Sequence, residues 1–193
     1  MNQTIDYYNK NAKTYFEQTV TLDMDEIRET FMDQVLPGGR ILDAGCGSGR
    51  DAKYFLDNGF SVEAFDASKQ MVRLARAYTG LPVQCVRFQD LDIEQRFDGI
   101  WACASLLHVP KEQMNDVIAR LYRALKDNGI LYASFKIGQT ERIEGQRFFN
   151  DYEKQDMHIL FAAFEILDVF ESHGNQQNWI NALVQKKQSE DCQ

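Results

Sequence analysis

Cysteine and proline are scarce in this sequence, with four and three residues respectively in a chain of 193. Cys46, Cys85, Cys103 and Cys192 form no C-x-x-C pair and lack metal-ligand spacing, which argues against a disulfide framework and a zinc site. We interpret them as reduced thiols and expect no metal. No apolar run approaches the roughly 18 residues that a membrane span needs, and the first residues do not follow the pattern of a secretory signal. A cytoplasmic protein without membrane contact is therefore expected.

The sequence also has fewer basic than acidic residues. Lysine and arginine total 21 against 29 acidic residues, which gives a formal net charge of −8. Proteins that bind a phosphate backbone usually carry a basic patch, so this balance argues against nucleic acid as the default partner. A local patch stays open on this argument, and the oligomeric state is not predicted.

The sequence has no repeat and no linker, so we expect one domain over residues 1–193. Short apolar runs alternate with segments of helical periodicity, such as 68–80 and 111–126. This alternation predicts an α/β fold in which helices cover both faces of a mostly parallel, doubly wound sheet. The five expected parallel strands are 40–44, 61–66, 83–88, 97–104 and 129–135.

The two ends of the chain depart from this alternation. Residues 1–37 contain two amphipathic segments and are interpreted as a helical cap before a core at 38–136. Residues 151–187 are predicted to form a helix and then two antiparallel strands that turn at Gly174, which makes seven strands in all. The polar stretch 137–150 between these parts is interpreted as a substrate lid.

Three glycines follow the first predicted strand at alternate positions, Gly45, Gly47 and Gly49. A strand, a glycine-rich turn and a helix form a binding site for the polar end of a ligand, because the first N–H groups of the helix are free. Asp66 ends the next strand 21 residues beyond Gly45, and Asp90 follows the third. In a doubly wound sheet these acids lie at one edge, where a carboxylate can accept two ribose hydroxyls.

Two kinds of nucleoside compete for such a site. A dinucleotide requires G-x-G-x-x-G, but here the third glycine comes one residue early and Arg50 takes the final position. Asp43, two residues before the first glycine, suits a ligand with an α-amino group better than a pyrophosphate. A nicotinamide-dependent oxidoreductase is therefore the less favoured alternative.

The residues "DAGCGSG" resemble motif I of the class I S-adenosylmethionine-dependent methyltransferases. The resemblance continues through "FDAS", "FQDLD", "FDGIWACASLLHVP" and "LYRALKDNGILYASF", which together cover nearly the whole chain. The sequence is similar to the small stand-alone members of the tellurite-resistance type, on "GCGSGRDA" and "LLHVP". The resemblance implies a Rossmann-like fold, S-adenosylmethionine as cofactor and S-adenosylhomocysteine as product.

The resemblance also implies a set of cofactor-binding residues. The backbone of Ala44, Gly45 and Gly47 would hold the methionine moiety, and Asp66 the ribose. For Arg50, Met71 and Tyr15, the alternatives of a solvated side chain or simple packing remain open. The full implied set is Tyr15, Asp43, Ala44, Gly45, Gly47, Arg50, Asp66, Ala67, Met71, Asp90, Leu91, Cys103 and Ala104.

The acceptor is less defined by the sequence. The chain has "ACAS" where base-methylating relatives carry N-P-P-Y, and it has no Pro-Cys dipeptide. A small-molecule acceptor is favoured, with a tRNA-modifying enzyme or a non-catalytic binder of S-adenosylmethionine as alternatives. His108 is a candidate general base, since its pKa lies near neutrality, although it could instead pack beside Pro110. Lys136 and Arg147 are candidate substrate-binding residues.

Overall fold

The computed structural model describes residues 2–174 and 177–188, and for Asn2 only the backbone; Cys192 lies outside the described residues. The helices are α1 Asn2–Thr19, α2 Asp25–Met32, α3 Arg50–Asp57, α4 Lys69–Thr79, α5 Lys111–Ala124 and α6 Lys154–Leu160. The strands are β1 Arg40–Ala44, β2 Ser61–Asp66, β3 Gln84–Cys85, β4 Phe97–Ala102, β5 Leu125–Lys136, β6 Glu141–Glu144, β7 Arg147–Asn150, β8 Phe164–His173 and β9 Asn178–Lys186. Two short 3-10 helices cover Phe88–Asp90 and Leu106–His108.

Seven of these strands form one sheet in the order β3-β2-β1-β4-β5-β9-β8. Strands β1 to β5 pair in parallel, and β9 is antiparallel to both β5 and β8. The seven-stranded, mostly parallel sheet with a C-terminal antiparallel pair confirms the predicted fold class. The strand order reverses beside β1, so a crevice opens at the carboxyl ends of β1 and β4.

Both faces of the sheet are covered, as the continuous apolar strands predict. On one face Trp101 and Tyr132 stack with ring centroids 4.1 Å apart, and Phe31 of α2 and Phe55 of α3 pack around Trp101. On the other face α5 contributes Met114 and other buried apolar side chains. The helices of the described residues include none that is long and apolar enough to cross a membrane.

The strand predicted at 83–88 is shorter in the structure. Only Gln84–Cys85 pair with β2, because Phe88 turns inward to pack on Phe65 at 5.1 Å and the chain bends into a 3-10 helix. Because of this bend, Gln89 and Asp90 do not continue in the direction of β3.

Strands β4 and β5 also differ from their predicted bounds. β4 ends at Ala102 rather than 104, because Ala104 adopts a φ of +49°. β5 begins at Leu125 rather than 129, since Leu125 pairs with Phe97 across an irregularity of the ladder. Helix α5 accordingly stops at Ala124, short of the predicted end at 126.

The stretch 137–150 forms the hairpin of β6 and β7, with Gly145 in the turn at a φ of +63°. The hairpin is held against α1, because the Phe148 N–H donates to Thr4 Oγ1 at 2.9 Å. The segment interpreted as a lid is therefore an ordered ribbon packed on the N-terminal helix.

Candidate active site

The glycine loop after β1 depends on backbone conformations that favour glycine. Gly45 and Gly47 have φ values of +77° and +53°, a region that costs other residues roughly 1–2 kcal/mol. The N–H of Gly45 donates to the Phe65 carbonyl at 3.0 Å. A Cβ added at Gly45 would lie 2.6 Å from the Ser105 Cβ. The loop therefore fits against its neighbours only when this position lacks a side chain.

Asp66 lies at the carboxyl end of β2 and faces this loop. Its Oδ2 accepts the N–H of Gly47 at 3.0 Å, and its Oδ1 accepts the N–H of Ser68 at 2.7 Å. Burial raises the pKa of the Asp66 carboxyl, and the backbone hydrogen bonds lower it in part. Two N–H donors leave further lone pairs on the two oxygens, so the carboxylate can accept more hydrogen bonds from a ligand.

A pocket that encloses about 750 Å³, open solvent at its mouth included, lies over the loop and Asp66. Its walls come from α1, the glycine loop, the end of β2, the start of α4, the turn after β3 and the 3-10 helix after β4. The predicted site residues that line it are Tyr15, Gly45, Gly47, Asp66, Ala67, Met71, Ala104 and His108. The structure thus brings together residues from one end of the sheet and the N-terminal cap.

Three other predicted residues lie behind the loop and not on the pocket wall. Asp43 Oδ2 accepts the N–H of Ala52 at 3.0 Å, which ties β1 to the first turn of α3. Arg50 forms two hydrogen bonds of 2.8 and 2.7 Å with Asp51. Cys103 is half-buried near Arg50, and its removal from solvent raises the pKa of its thiol to about 12. In this structure Asp43 connects β1 to α3, whereas Arg50 pairs with the next residue of its own helix.

Ala44 has a similar structural contact. Its carbonyl accepts the hydroxyl of Ser105 at 2.7 Å, which joins β1 to the segment after β4. Ala104 donates its N–H to Ser134 Oγ at 2.8 Å. The backbone that the resemblance assigns to the methionine moiety is therefore fixed by serine hydroxyls that the sequence reasoning did not single out.

Asp90 and Leu91 are not brought to the pocket. The Asp90 carboxylate is exposed and bound to Arg87 at 2.7 and 2.8 Å, and this hydrogen bonding lowers its pKa. Leu91 packs in the core. The bend at Phe88 turns the chain so that Gln89 lines the pocket instead.

His108 lies on the pocket wall with both ring nitrogens in hydrogen bonds. Nε2 is 2.9 Å from the Tyr8 hydroxyl, and Nδ1 is 2.6 Å from the Phe148 carbonyl oxygen. The pKa of His108 is lowered to about 4, mainly by burial and also by the positive charges of Arg147 and Lys136, whereas the hydrogen bond to Phe148 raises it. The predicted general base is thus neutral near pH 7 and reaches the pocket beside Tyr8.

The two candidate substrate-binding cations contact aromatic rings near this wall. Lys136 Nζ is 4.0 Å from the centroid of the Phe149 ring and 3.5 Å from Glu144. Arg147 lies over the rings of Tyr7 and Phe149 at 5.0 and 5.1 Å. Neither cation lines the pocket itself.

Several pocket residues were missed by the sequence reasoning. Thr4, Ile5 and Tyr8 come from α1 and line the pocket next to His108. The helical spacing of Ile5 and Tyr8 was visible in the sequence, but such spacing equally indicates a helix face that packs on the core. Among the described ranges 2–174 and 177–188, no three histidine, cysteine or acidic side chains gather into a group that could hold a metal ion.

Comparison with known proteins gives matches along the same region. The family described as "Methyltransferase domain" matches residues 41–129. An uncharacterized methyltransferase of Staphylococcus carnosus is 28% identical over 164 residues, which cover 81% of this chain and 78% of that protein. Other curated methyltransferases match over less of their length, and the chain covers 37%, 33% and 46% of three of them.

Solved structures share the fold at low identity. The 1,6-didemethyltoxoflavin-N1-methyltransferase of Burkholderia thailandensis, solved with 1,6-didemethyltoxoflavin and S-adenosylhomocysteine, has a TM-score of 0.77 and 22% identity over 95% of this chain and 85% of that one. A TehB-like methyltransferase of Corynebacterium glutamicum has a TM-score of 0.71 and 19% identity over 95% and 98% of the two chains. The glycine loop, the Asp66 carboxylate and the sheet order agree with these matches: residues 41–129 form a class I S-adenosylmethionine-dependent methyltransferase domain, and the solved structures share its fold.

Proposed function

We propose that this protein binds S-adenosylmethionine in the pocket over the glycine loop and transfers its methyl group to an oxygen, nitrogen or sulfur nucleophile of a small molecule. The observation that carries the proposal is the continuity of one pocket from Asp66 to the Tyr8–His108 pair. One end has the chemistry for a nucleoside, and the other has polar groups beside which an acceptor can lie.

The nucleoside end fits the cofactor on the residues present. The Asp66 carboxylate is fixed by two backbone N–H groups and keeps lone pairs for ribose hydroxyls. A Cβ at Gly47 would lie 3.7 Å from Tyr15, so the missing side chain leaves space under that ring. Met71 and Phe88 offer apolar surface on which an adenine can pack.

When bound, S-adenosylmethionine supplies an electrophilic methyl group on a sulfonium. The work left to the protein is to align the acceptor and to exclude water, and such alignment supplies ~7–11 kcal/mol of a reaction barrier. Helix α1 is suited to both tasks, since Tyr8 and Tyr15 lie over the pocket with ring centroids 5.0 Å apart. The hairpin β6–β7 holds α1 in place through Thr4 and Phe148.

A small acceptor suits both the pocket and the charge of the chain. The Burkholderia methyltransferase was solved with 1,6-didemethyltoxoflavin bound, and α1 lines one side of the present pocket. The net charge of −8 supports a small molecule over tRNA. We keep tRNA methylation as the alternative outcome of the acceptor test below.

Calorimetry separates the cofactor classes. We expect binding of S-adenosylmethionine and S-adenosylhomocysteine and none of NAD; binding of NAD alone would overturn the proposal. With the cofactor established, release of S-adenosylhomocysteine in the presence of small metabolites or bulk tRNA identifies the acceptor class. Tight cofactor binding without release for any acceptor would favour a non-catalytic binder.

A further inference from the structure

A chain of hydrogen bonds joins α1, the 3-10 helix after β4 and the hairpin strand β7. The Phe148 carbonyl can only accept a hydrogen bond, so His108 Nδ1, 2.6 Å away, must carry a proton. In the neutral ring Nε2 is then an acceptor, and the Tyr8 hydroxyl donates to it at 2.9 Å. The direction of both hydrogen bonds is therefore fixed by the backbone of β7.

This direction leaves the Tyr8 oxygen free to accept. A phenol oxygen that donates its own proton keeps two lone pairs. Burial raises the pKa of Tyr8, and the positive charge of Arg147, which lies close to this hydroxyl, lowers it by a smaller amount. Lone pairs remain on the Tyr8 oxygen, and Tyr8 lines the pocket. A protic group in the pocket can donate to it.

Arg147 carries a positive charge that no carboxylate of the described residues pairs with. It forms no ion pair with a carboxylate of residues 2–174 and 177–188, and it packs against the rings of Tyr7 and Phe149. Nearby Arg142, by contrast, is bound to Asp151 and Glu144. In a protein with a net charge of −8, an unpaired half-buried guanidinium next to the pocket is suited to an anionic ligand.

We propose that the acceptor is an anionic small molecule with an O–H or N–H nucleophile, whose proton is taken by Tyr8 and whose anionic group is bound by Arg147. Tyr8 is then a catalytic residue and His108 a positioning residue. The inference rests on the proposed function and specifies the acceptor end of the same pocket.

The proton step balances along this chain. The acceptor proton moves to the Tyr8 oxygen as the Tyr8 proton moves to His108 Nε2. The lone pair freed on the acceptor forms the new bond to the methyl carbon, and the electron pair of the broken carbon–sulfur bond stays on sulfur. The proton gives the site one positive charge on His108 as the charge of the sulfonium is lost, so the net charge of the site does not change. His108 later releases the proton to solvent.

The wild-type protein is tested first with defined probes. These are 2-, 3- and 4-hydroxybenzoate, the three aminobenzoates and the three neutral hydroxybenzamides, each with S-adenosylmethionine. We expect S-adenosylhomocysteine release with at least one benzoate and a KM at least about tenfold higher for its amide. Cofactor binding by calorimetry with no benzoate turned over would overturn the acceptor class, whereas lack of cofactor binding would overturn the proposed function instead.

Variants then test Tyr8 against a matched control. Tyr8→Phe keeps the ring and removes the hydroxyl, and we expect kcat to fall about 100-fold, as for loss of a general base, with cofactor affinity unchanged. Tyr7→Phe, on the same helix, has its hydroxyl outside this hydrogen-bond chain and is expected to retain wild-type kcat. Equal kcat in the two variants would overturn the role of Tyr8.

The remaining two residues are distinguished by different readouts. Arg147→Gln is expected to raise the KM of the benzoate about tenfold and to leave that of the benzamide unchanged; equal effects on both would overturn anion binding. His108→Gln retains an acceptor for the Tyr8 hydroxyl without basicity, so kcat should fall while KM stays constant. A rise in KM alone would show that His108 only supports the pocket.

The hydrogen-bond direction can be checked without any acceptor. The chain has three histidines, so ¹⁵N NMR of histidine-labelled protein resolves the ring of His108. We expect the Nδ1–H tautomer in wild type and a shift of the Nε2 resonance in Tyr8→Phe but not in Tyr7→Phe. An Nε2–H tautomer would overturn the proposed transfer of the Tyr8 proton to His108.

Discussion

The Asp66 carboxylate accepts the N–H of Gly47 at 3.0 Å, across 19 residues of sequence. This bond joins the end of β2 to the glycine loop after β1, so the acid and the loop are held as one unit before any ligand arrives. Preorganisation of this kind reduces the ordering cost of binding. It also makes Asp66 the residue on which the cofactor site can be tested most directly.

Replacement of Asp66 by alanine is expected to weaken S-adenosylmethionine binding by roughly 1.5–3 kcal/mol, the scale of hydrogen bonds to a charged group. The matched change is Asp90→Ala, which the resemblance also assigns to the cofactor but whose carboxylate is exposed and bound to Arg87. Calorimetry on both folded variants should show a loss of affinity for the first and less than a twofold change for the second. A larger loss in Asp90→Ala would support the sequence-based assignment of Asp90 to the cofactor site.

Gly45→Ala should destabilise the fold as well as the loop. Its φ of +77° costs an alanine about 1–2 kcal/mol, and the new Cβ would meet Ser105 at 2.6 Å, which adds about 1–3 kcal/mol of overpacking. Gly80 has a φ of +76° with open space around it, so Gly80→Ala isolates the backbone cost. Urea denaturation should rank Gly45→Ala below Gly80→Ala; equal stability would mean that Ser105 yields without cost.

Asp51, in the first turn of α3, is the centre of a buried polar cluster that links α3 to α2 and β4. It accepts from Trp101 Nε1 at 2.9 Å, from Arg50 and from Arg28 at 3.4 Å. Asp51→Ala would leave the buried Arg28 without this partner, and the loss of one member of such a pair costs about 3–5 kcal/mol.

Asp57→Ala is the control for Asp51→Ala, because it removes an exposed pair with Lys53 on the same helix that is worth less than about 1 kcal/mol. The free energy of unfolding in urea measures both variants. Similar losses would show that the cluster around Asp51 adds nothing beyond an exposed pair.

His108 predicts a specific dependence of stability on pH. Its pKa is lowered to about 4 in the folded protein from an ordinary value of 6.5, mainly by burial and also by Arg147 and Lys136. Between these values the unfolded chain binds a proton that the folded protein does not, so stability falls as the pH falls from about 6.5 to about 4.

We expect His108 to account for about 1–3 kcal/mol of this loss of stability. The range extends downward because part of the side chain remains in contact with water, which weakens the effect of burial. Asp66, whose pKa is raised, acts in the opposite direction but equally in wild type and in His108→Gln. The difference between the two stability–pH curves therefore isolates His108. Parallel curves would contradict a buried neutral histidine.

The fold could be predicted from the sequence to a large extent because local patterns determine it. Alternating apolar strands and helices predicted the seven-stranded sheet, and the helical periodicity of 68–80 corresponds to α4 with its N-cap Ser68, whose Oγ accepts the N–H of Met71. The predicted strand 83–88 was too long, because the burial of Phe88 against Phe65 is a tertiary contact. That one bend also separates Asp90 from the pocket.

The sequence by itself determined the glycine loop, the acid at the end of β2 and the family, since these depend on residue types at short fixed spacings. Only the tertiary structure decided what surrounds them. Tyr8 and His108 lie 100 residues apart and meet in one hydrogen bond, and the Phe148 N–H donates to Thr4 across 144 residues. No local periodicity encodes such contacts, because they depend on how α1 and the hairpin β6–β7 pack over the finished sheet.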